Sequence, residues 1–120
     1  MTKELMLYII LVLSPHWPKD VSPIMMTHYE MFKIASQCDF TITSGRRSEE
    51  HNKEVGGADE SMHLVGYALD IVPLKTCNKT LEELVPIAKK HFNFVLKYKQ
   101  HLHIDMRRAY EKTISNSSTR

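Results

Sequence analysis

The sequence lacks a hydrophobic run long enough to cross a membrane. The N-terminal run LMLYIILVL at residues 5–13 has nine apolar residues, whereas a membrane-spanning helix needs about 20. A signal-peptide core can be this short, but Lys3 is offset by Glu4 and no small-residue cleavage site follows the run. We therefore expect no membrane span and favour a buried strand over an export signal. The compartment in which the protein works stays open.

An excess of charge of one sign is also missing. The formal net charge is +2, with 25% of residues charged, which is too weak a bias to predict a nucleic acid as the partner. A mildly basic surface would still suit an anionic polymer. The 120 residues are enough for one domain with one modest core, so we expect a single-domain monomer without a second functional module.

Cysteine is scarce. Cys38 and Cys77 are the two cysteines of the chain, and their spacing matches neither a zinc knuckle nor the disulfide framework of a small secreted domain. One disulfide is possible, but isolated cysteines are more often buried and free. We therefore expect two free, mostly buried thiols.

The order of the remaining patterns predicts an α+β fold. Ser22 followed by a proline is typical of a helix start, and FTIT at residues 40–43 is typical of a strand. Residues 44–61 form a polar segment with three glycines, and loops of that length are usually functional. GYALDIVPL at residues 66–74 regains strand character, and Thr80 opens a second helix through a capping box.

The C-terminal third predicts a β-hairpin. FNFVLKYK and QHLHIDMR both alternate like strands, with a turn around Lys99-Gln100. From Ala109 the chain has little to bury and is expected to fray. We thus predict one domain over residues 1–108 and a flexible tail over residues 109–120. The domain should contain a small, mainly antiparallel sheet with helices packed on one face.

Histidine is abundant, with seven residues in the chain. In HLHID the strand period of two places His101, His103 and Asp105 on one face of the sheet and the intervening apolar residues on the other. Neutral imidazole is the commonest metal ligand in proteins. Alternating polar residues on a half-exposed strand are the simpler alternative, because they require no function.

A second cluster, His63 with Asp70, lies in SMHLVGYALDI at residues 61–71, and we expect it too to lie on a strand. Asp70 is flanked by apolar residues, so its ionised carboxylate must be paired, hydrogen-bonded or bound to a cation. A salt bridge to Arg47 or to a lysine would satisfy it. If this cluster meets HLHID across the sheet, two imidazoles and one carboxylate would form the donor set of a catalytic zinc site with an open fourth position.

The run ITSGRRSEEHNKEVGGADESMHLVGYALDI followed by HLHID resembles the zinc D-alanyl-D-alanine peptidases of the bacterial cell wall. That family is related to the hedgehog fold and to lysostaphin-type enzymes. The resemblance covers residues 40–107 and implies a hedgehog/D-Ala-D-Ala peptidase-like fold. The compact chain is similar to single-domain members from bacteriophages as much as to bacterial ones. The signature S-x-H-x-x-G-x-A-x-D with a later H-x-H stands here as Ser61, His63, Gly66, Ala68, Asp70, His101 and His103.

The resemblance implies a zinc-dependent reaction on peptidoglycan stem peptides. It implies that His63, Asp70 and His103 bind Zn²⁺, whose bound water would have a pKa of about 7 and would attack a bond next to a D-amino acid. His101 would serve as general acid/base or stabilise the oxyanion. Arg47 would hold the substrate carboxylate or the developing oxyanion through its guanidinium fork.

Weaker assignments concern residues around that centre. The resemblance implies that Ser61 hydrogen-bonds the substrate or orients the site. Asp105 is a candidate hydrogen-bond partner that fixes the tautomer of a ligand imidazole. Asn52, Gly56 and Gly57 are expected to shape the loop.

The sequence departs from the family pattern at two places. Many carboxypeptidase members carry a glutamate base shortly before the last histidine, but KYKQHLH at residues 97–103 has none, which leaves His101 as the best candidate base. Arg46 stands where the family often has an aromatic residue, so either of two adjacent arginines could face the substrate, with Arg47 the better candidate.

Two classes of function remain. The first is a D-Ala-D-Ala carboxypeptidase or an L-Ala-D-Glu endopeptidase. The alternative is a non-catalytic, zinc-containing binding module that recognises murein or a protein partner. His101 together with Arg47 favours the enzyme, because a purely structural zinc site needs neither a base nor an oxyanion partner. A metal-free structural protein is least favoured, since it leaves Asp70 unexplained.

Overall fold

The computed structural model describes residues 2–6, 17–18, 20–58 and 60–118. Residues 3–6 are helical, and the rest of the run that was expected to form a strand, residues 7–13, lies outside the described residues. No helix within the described ranges is long and apolar enough to cross a bilayer.

From residue 20 onward, the described chain alternates helices and strands, and the α+β prediction is confirmed. In chain order the elements are α1 (Pro23–Ser36), β1 (Phe40–Ser44), α2 (Glu49–Glu54), a 3₁₀-helix (Met62–Val65), β2 (Ala68–Pro73), α3 (Leu81–Lys89), β3 (Phe94–Lys97), β4 (Leu102–Asp105) and α4 (Arg107–Ser118).

The four strands form one antiparallel sheet in the order β1-β2-β4-β3. The predicted hairpin between β3 and β4 is confirmed, because the Tyr98 N–H donates to the His101 carbonyl at 2.9 Å across the loop Lys99-Gln100. In the centre of the sheet Asp70 lies directly opposite His103. The sheet register thus joins the two polar clusters that lie far apart in the sequence.

The hydrophobic core lies on the opposite face of the sheet. Side chains of β2 and β4 alternate between faces, so their apolar residues point towards α1 and α3. Burying each such side chain contributes about 1.5–3 kcal/mol. The core includes Met25, Met26, Phe32, Leu69, Ile71, Leu84, Ala88, Leu102 and Ile104, all at most 2% exposed. Packing of the two predicted helices on one face is confirmed.

The start of each of these helices follows its sequence signal. α1 begins at Pro23, directly after Ser22, where the missing N–H of proline is harmless. α3 has the predicted capping box: the Thr80 hydroxyl accepts from the Glu83 N–H at 3.1 Å, and the Glu83 carboxylate accepts from the Thr80 N–H at 3.0 Å. Local chemistry therefore determines where both core helices begin.

The expected frayed tail after residue 108 requires correction, because α4 extends from Arg107 to Ser118. Its first N–H groups find acceptors in residues from elsewhere in the chain. The Asn93 side chain accepts from the N–H of Arg108 at 3.0 Å and of Ala109 at 3.3 Å. Tyr110 then packs against Tyr67, with ring centroids 5.2 Å apart. Tertiary caps and one aromatic contact account for a helix that the local sequence does not predict.

Two expectations for the segment before β2 also require correction. Residues 44–61 are not one continuous loop, since they contain α2, whose first turn is capped by Ser48 through the His51 N–H at 3.1 Å. His63, expected on a strand, lies in the 3₁₀-helix. Gly66 ends that helix at φ 76°, and a Cβ at this position would overlap the backbone oxygen of Asp20.

The expectation of two free thiols is wrong, because Cys38 and Cys77 form a disulfide with their Cα atoms 4.8 Å apart. Cys38 precedes β1 and Cys77 follows β2, so the antiparallel pairing of these strands brings them together. The register pairs Phe40 with Pro73. Only the pairing of the strands, not the spacing of the cysteines, determines this bond.

We expect the disulfide to stabilise the domain. It closes a separation of 39 residues, for which loop entropy gives about 4 kcal/mol. The Cys38→Ser/Cys77→Ser double variant should therefore melt roughly 10–20 °C below the oxidised wild type in thermal unfolding followed by circular dichroism. Reductant should lower the Tm of the wild type and leave that of the double variant unchanged. An unchanged Tm in the oxidised double variant would contradict this role.

Candidate functional site

The site is centred on Asp70, in the middle of β2. Its side chain is 12% exposed and its two carboxylate oxygens face different partners. Oδ1 lies 3.2 Å from Nε2 of His63 and 3.1 Å from Nδ1 of His103. Oδ2 accepts from Nη2 of Arg47 at 2.9 Å. The ion pair with Arg47 and the meeting with two histidines, which the sequence offered as alternatives, therefore occur together.

Two hydrogen bonds hold His63 in place, one from its backbone and one from its ring. Its backbone N–H donates to the Ser61 hydroxyl at 3.2 Å, which caps the 3₁₀-helix. Nδ1 lies 2.7 Å from the carbonyl oxygen of Gly45, and because that oxygen can only accept, Nδ1 carries the proton. Nε2 of this almost fully buried ring therefore presents a lone pair towards Asp70.

His103 is oriented in the same way by a carboxylate. Its Nε2 lies 2.8 Å from Oδ2 of Asp105, so Nε2 donates and Nδ1 presents its lone pair towards Asp70. Burial lowers the pKa of His103, but the hydrogen bonds that its protonated ring donates to Asp105 and Asp70 outweigh burial and raise that pKa. Burial likewise opposes ionisation of Asp70, yet the hydrogen bonds that its carboxylate accepts when an additional proton lies on either ring hold the pKa of Asp70 well below its usual range.

This donor set fits a metal ion. The ligand atoms of His63, Asp70 and His103 all lie within 4.8 Å of one another. The other nitrogen of each ring is already a hydrogen-bond donor. Nε2 of His63, Nδ1 of His103 and Oδ1 of Asp70 are therefore three electron-rich atoms directed at one point. They repel one another unless a cation or additional protons lie between them. Two imidazoles and one carboxylate match the preferences of Zn²⁺, with a fourth position left for water or substrate.

Arg47 is anchored at the edge of this centre. A bulge between Ile42 and Ser44 brings Ser44 opposite Asp70, and the Ser44 hydroxyl accepts from Nε of Arg47 at 3.0 Å. Nη1 is 3.4 Å from Oδ1 of the buried Asn52. With one N–H directed to Asp70, two of the five guanidinium N–H groups have no partner among the described residues.

Asn52 and the glycine pair shape the loop beside Arg47. The Asn52 amide donates to the Ala58 carbonyl at 2.7 Å, and a Cβ on Gly57 would overlap the Asn52 side chain. Gly56 adopts φ 71°, a conformation that favours glycine. These contacts hold the loop in one shape and place Arg47 against Asp70.

An open cleft of about 560 Å³ contains this centre, and we call it the site cleft. Its lining includes His63, Asp70 and His103 together with predicted site residues Arg47, Ser61 and His101. His101 stacks on Tyr98 with ring centroids 4.5 Å apart. Among the described residues, His101 has no hydrogen bond to the central cluster, and its role stays a prediction.

Sequence reasoning missed Arg107, which supports the centre from behind. Its guanidinium donates two hydrogen bonds to the fully buried Asp105, from Nε to Oδ1 at 2.9 Å and from Nη2 to Oδ2 at 2.7 Å. The guanidinium carbon also lies 3.7 Å from the centroid of the Phe94 ring. Burial raises the pKa of Asp105, but its interactions with Arg107 and His103 outweigh burial and bring that pKa below its ordinary value. The sequence did contain a signal for Arg107, because Asp105 and Arg107 continue the two-residue spacing of His101 and His103.

Two carboxylates of the site cleft were also missed. Glu60 and Glu111 line it, although KYKQHLH itself contains no glutamate. Glu111 belongs to α4, so its presence depended on a helix that the sequence did not predict. Carboxylates that could exchange protons with a substrate are therefore present in the cleft even though the expected sequence position lacks one.

Comparison with known proteins gives one match. The model of the family described as Peptidase M15 matches residues 20–105, a range that contains His63, Asp70 and His103 and the four strands of the described chain. Searches of curated proteins and of solved structures find no match.

We expect Arg107→Gln to weaken zinc binding about 10–100-fold, as loss of partners behind a metal ligand does elsewhere. Without the two hydrogen bonds from the Arg107 guanidinium, Asp105 is no longer held where it keeps Nε2 of His103 as a donor. Competition with a chromogenic zinc chelator measures the affinity. Arg107→Lys should recover only part of it, because lysine lacks the planar fork.

The matched control for this test is Arg108→Gln, an exposed arginine on the same helix turn. It should bind zinc like the wild type. Arg107→Gln binding zinc as tightly as the wild type would contradict the positioning role of Arg107.

Proposed function

The chain belongs to the Peptidase M15 family, a family of zinc-dependent peptidases, and from this premise we propose that it is a murein peptidase. It hydrolyses stem-peptide bonds next to D-amino acids, either as a D-Ala-D-Ala carboxypeptidase or as an L-Ala-D-Glu endopeptidase. Peptidoglycan stem peptides are then its substrate.

One observation carries this proposal: two imidazoles and a carboxylate converge at the floor of an open cleft, each fixed by a second hydrogen bond or ion pair. His63, Asp70 and His103 would hold the metal. Zn²⁺ supplies a Lewis acid that polarises a peptide carbonyl and lowers the pKa of water. A buried structural zinc site would not need to face a cleft of about 560 Å³.

Arg47 is proposed to bind the substrate while it keeps its ion pair with Asp70. Its two remaining N–H groups can donate to a carboxylate or to the oxyanion that develops on the scissile carbonyl. Ser61 lines the same cleft and its hydroxyl already accepts from His63 N–H, so its own proton is available to a substrate oxygen.

His101 is proposed to move the proton. It lines the cleft and is held by stacking on Tyr98, which leaves its ring nitrogens at the edges free to exchange protons. Imidazole is the side chain that most often serves as a general acid or base. Glu60 and Glu111 are the competing candidates for this role, since they line the same cleft.

The disulfide supports a site of action at the cell wall. Disulfides persist in oxidising compartments, such as the bacterial periplasm and the extracellular space, and are rare in the cytosol. Murein lies in those same compartments. The bond between Cys38 and Cys77 is therefore compatible with the proposed substrate.

The test is mass spectrometry of purified muropeptides incubated with zinc-loaded protein, with and without chelator. We expect chelator-sensitive cleavage, and we expect His101→Gln to keep zinc while losing about 100-fold or more in rate. His51→Gln is the matched control, because His51 is exposed on α2 and lies outside the cleft; it should remain active.

Two outcomes would overturn parts of this proposal. Full activity in His101→Gln with its loss in Glu60→Gln or Glu111→Gln would transfer the proton-transfer role to that carboxylate. Bound zinc with no cleavage of any muropeptide would contradict the enzyme and favour a non-catalytic module that binds murein.

A further inference from the structure

The histidines of the site cleft are oriented in two different ways. Nδ1 of His63 and Nε2 of His103 each make a hydrogen bond to an oxygen atom of the protein. The contact that orients each of these rings therefore occupies one of its nitrogens. The ring of His101 has no hydrogen bond or ion pair within the described part of the chain. It is oriented by a stack on the ring of Tyr98.

The stack of His101 on Tyr98 is close and nearly parallel. The ring centroids are 4.5 Å apart and the ring planes are inclined by 9°, at the short end of the about 4.5–7 Å over which aromatic rings attract each other. Turning the imidazole about the bond that joins it to the rest of the side chain would bring its edge into the phenol ring. The stack therefore fixes the plane of the His101 ring without occupying either of its nitrogens.

The hairpin between β3 and β4 sets the position of this stack. Tyr98 and His101 flank the turn Lys99-Gln100, and the Tyr98 N–H donates to the His101 carbonyl at 2.9 Å. Residues that lie opposite each other in an antiparallel pair project their side chains from the same face of the sheet. Here that face carries the site cleft, which both residues line. The backbone of the turn thus places the two rings in the cleft together.

The way in which His101 is held suits proton transfer. A general acid or base must direct a nitrogen at the substrate, and a hydrogen bond to a protein group, as in His63 and His103, would compete for that nitrogen. A stacked imidazole keeps both nitrogens at its edges, where they can contact a molecule in the cleft. A freely rotating ring would instead spread them over many positions, and a misplacement of about 1 Å can cost on the order of 100-fold in rate.

From these contacts we infer that Tyr98 is a positioning residue that acts through His101. The inference rests on the proposed function, in which His101 moves the proton, and it adds the residue that holds the imidazole in place. The ring of Tyr98 is the part that acts, because its hydroxyl makes no hydrogen bond among the described residues. Tyr98 is 47% exposed, so its ring adds little to the core and can be replaced without loss of the fold.

The first test measures the stack itself in the zinc-loaded full chain. Protons of His101 that lie over the Tyr98 ring resonate upfield in the NMR spectrum, and His101→Gln identifies their signals. Tyr98→Leu should remove this upfield shift, whereas Tyr98→Phe should keep it. Equal His101 shifts in the wild type and in Tyr98→Leu would overturn the inference while the proposed murein peptidase stands.

The second test measures kcat and KM on the muropeptide that the wild type cleaves. Tyr98→Leu should lower kcat about ten-fold, with KM and zinc affinity little changed, because the imidazole is present but no longer held in place. Tyr98→Phe should recover most of that loss. Lys99→Gln changes an exposed residue of the same turn that does not line the cleft and should match the wild type. Circular dichroism verifies that all three variants fold.

A double-mutant cycle measures whether Tyr98 acts through His101. In the His101→Gln background, Tyr98→Leu should cause no further loss of kcat, because the imidazole that the tyrosine holds is absent. An equal loss in both backgrounds would overturn the inference. A raised KM at unchanged kcat in Tyr98→Leu would also overturn it, since Tyr98 would then contact the substrate directly.

Failure of the proposed function is visible without any change at Tyr98. A wild type that cleaves no muropeptide, or a fully active His101→Gln, would contradict the proposed roles and this inference with them. Unchanged kcat in Tyr98→Leu together with an inactive His101→Gln would overturn the role of Tyr98 alone.

Discussion

The site depends on one buried carboxylate. Asp70 lies in the middle of β2 between two fully buried apolar residues, where an uncompensated ionised group would be strongly destabilising. Each of its two oxygens has its own partners: Oδ2 is paired with Arg47, and Oδ1 faces the ring nitrogens of His63 and His103. Because each of those rings has its other nitrogen committed as a donor, a cation is the partner that satisfies all three groups at once.

The rest of the structure keeps these partners in position. The sheet register sets His103 opposite Asp70, and the bulge in β1 turns Ser44 towards Arg47. Behind His103, a chain of contacts runs through the buried Asp105 to Arg107 on α4. The candidate metal site is therefore supported from the loop on one side and from the C-terminal helix on the other, while the side chains on the core face of the sheet stabilise the fold.

Much of this could be predicted from local patterns, and the rest could not for physical reasons. Strand periodicity separated the polar and apolar faces of HLHID, and capping signals located α1 and α3. The disulfide arises from the register of β1 with β2, which cysteine spacing does not encode. Helix α4 depends on a cap from Asn93, and the role of Arg107 depends on the position of Asp105 beside His103, which only the folded sheet determines.

The most direct test of the central claim is the zinc affinity of the wild type and of Asp70→Asn, measured by chelator competition with metal content from mass spectrometry. One tightly bound zinc per chain is expected in the wild type. Asp70→Asn should lose about 100-fold or more in affinity, because the amide removes the charge that the metal neutralises. Asp39→Asn, at an exposed position outside the cleft, should bind like the wild type. Undiminished zinc binding in Asp70→Asn would contradict the assignment of Asp70 as the ligand at the centre of the site.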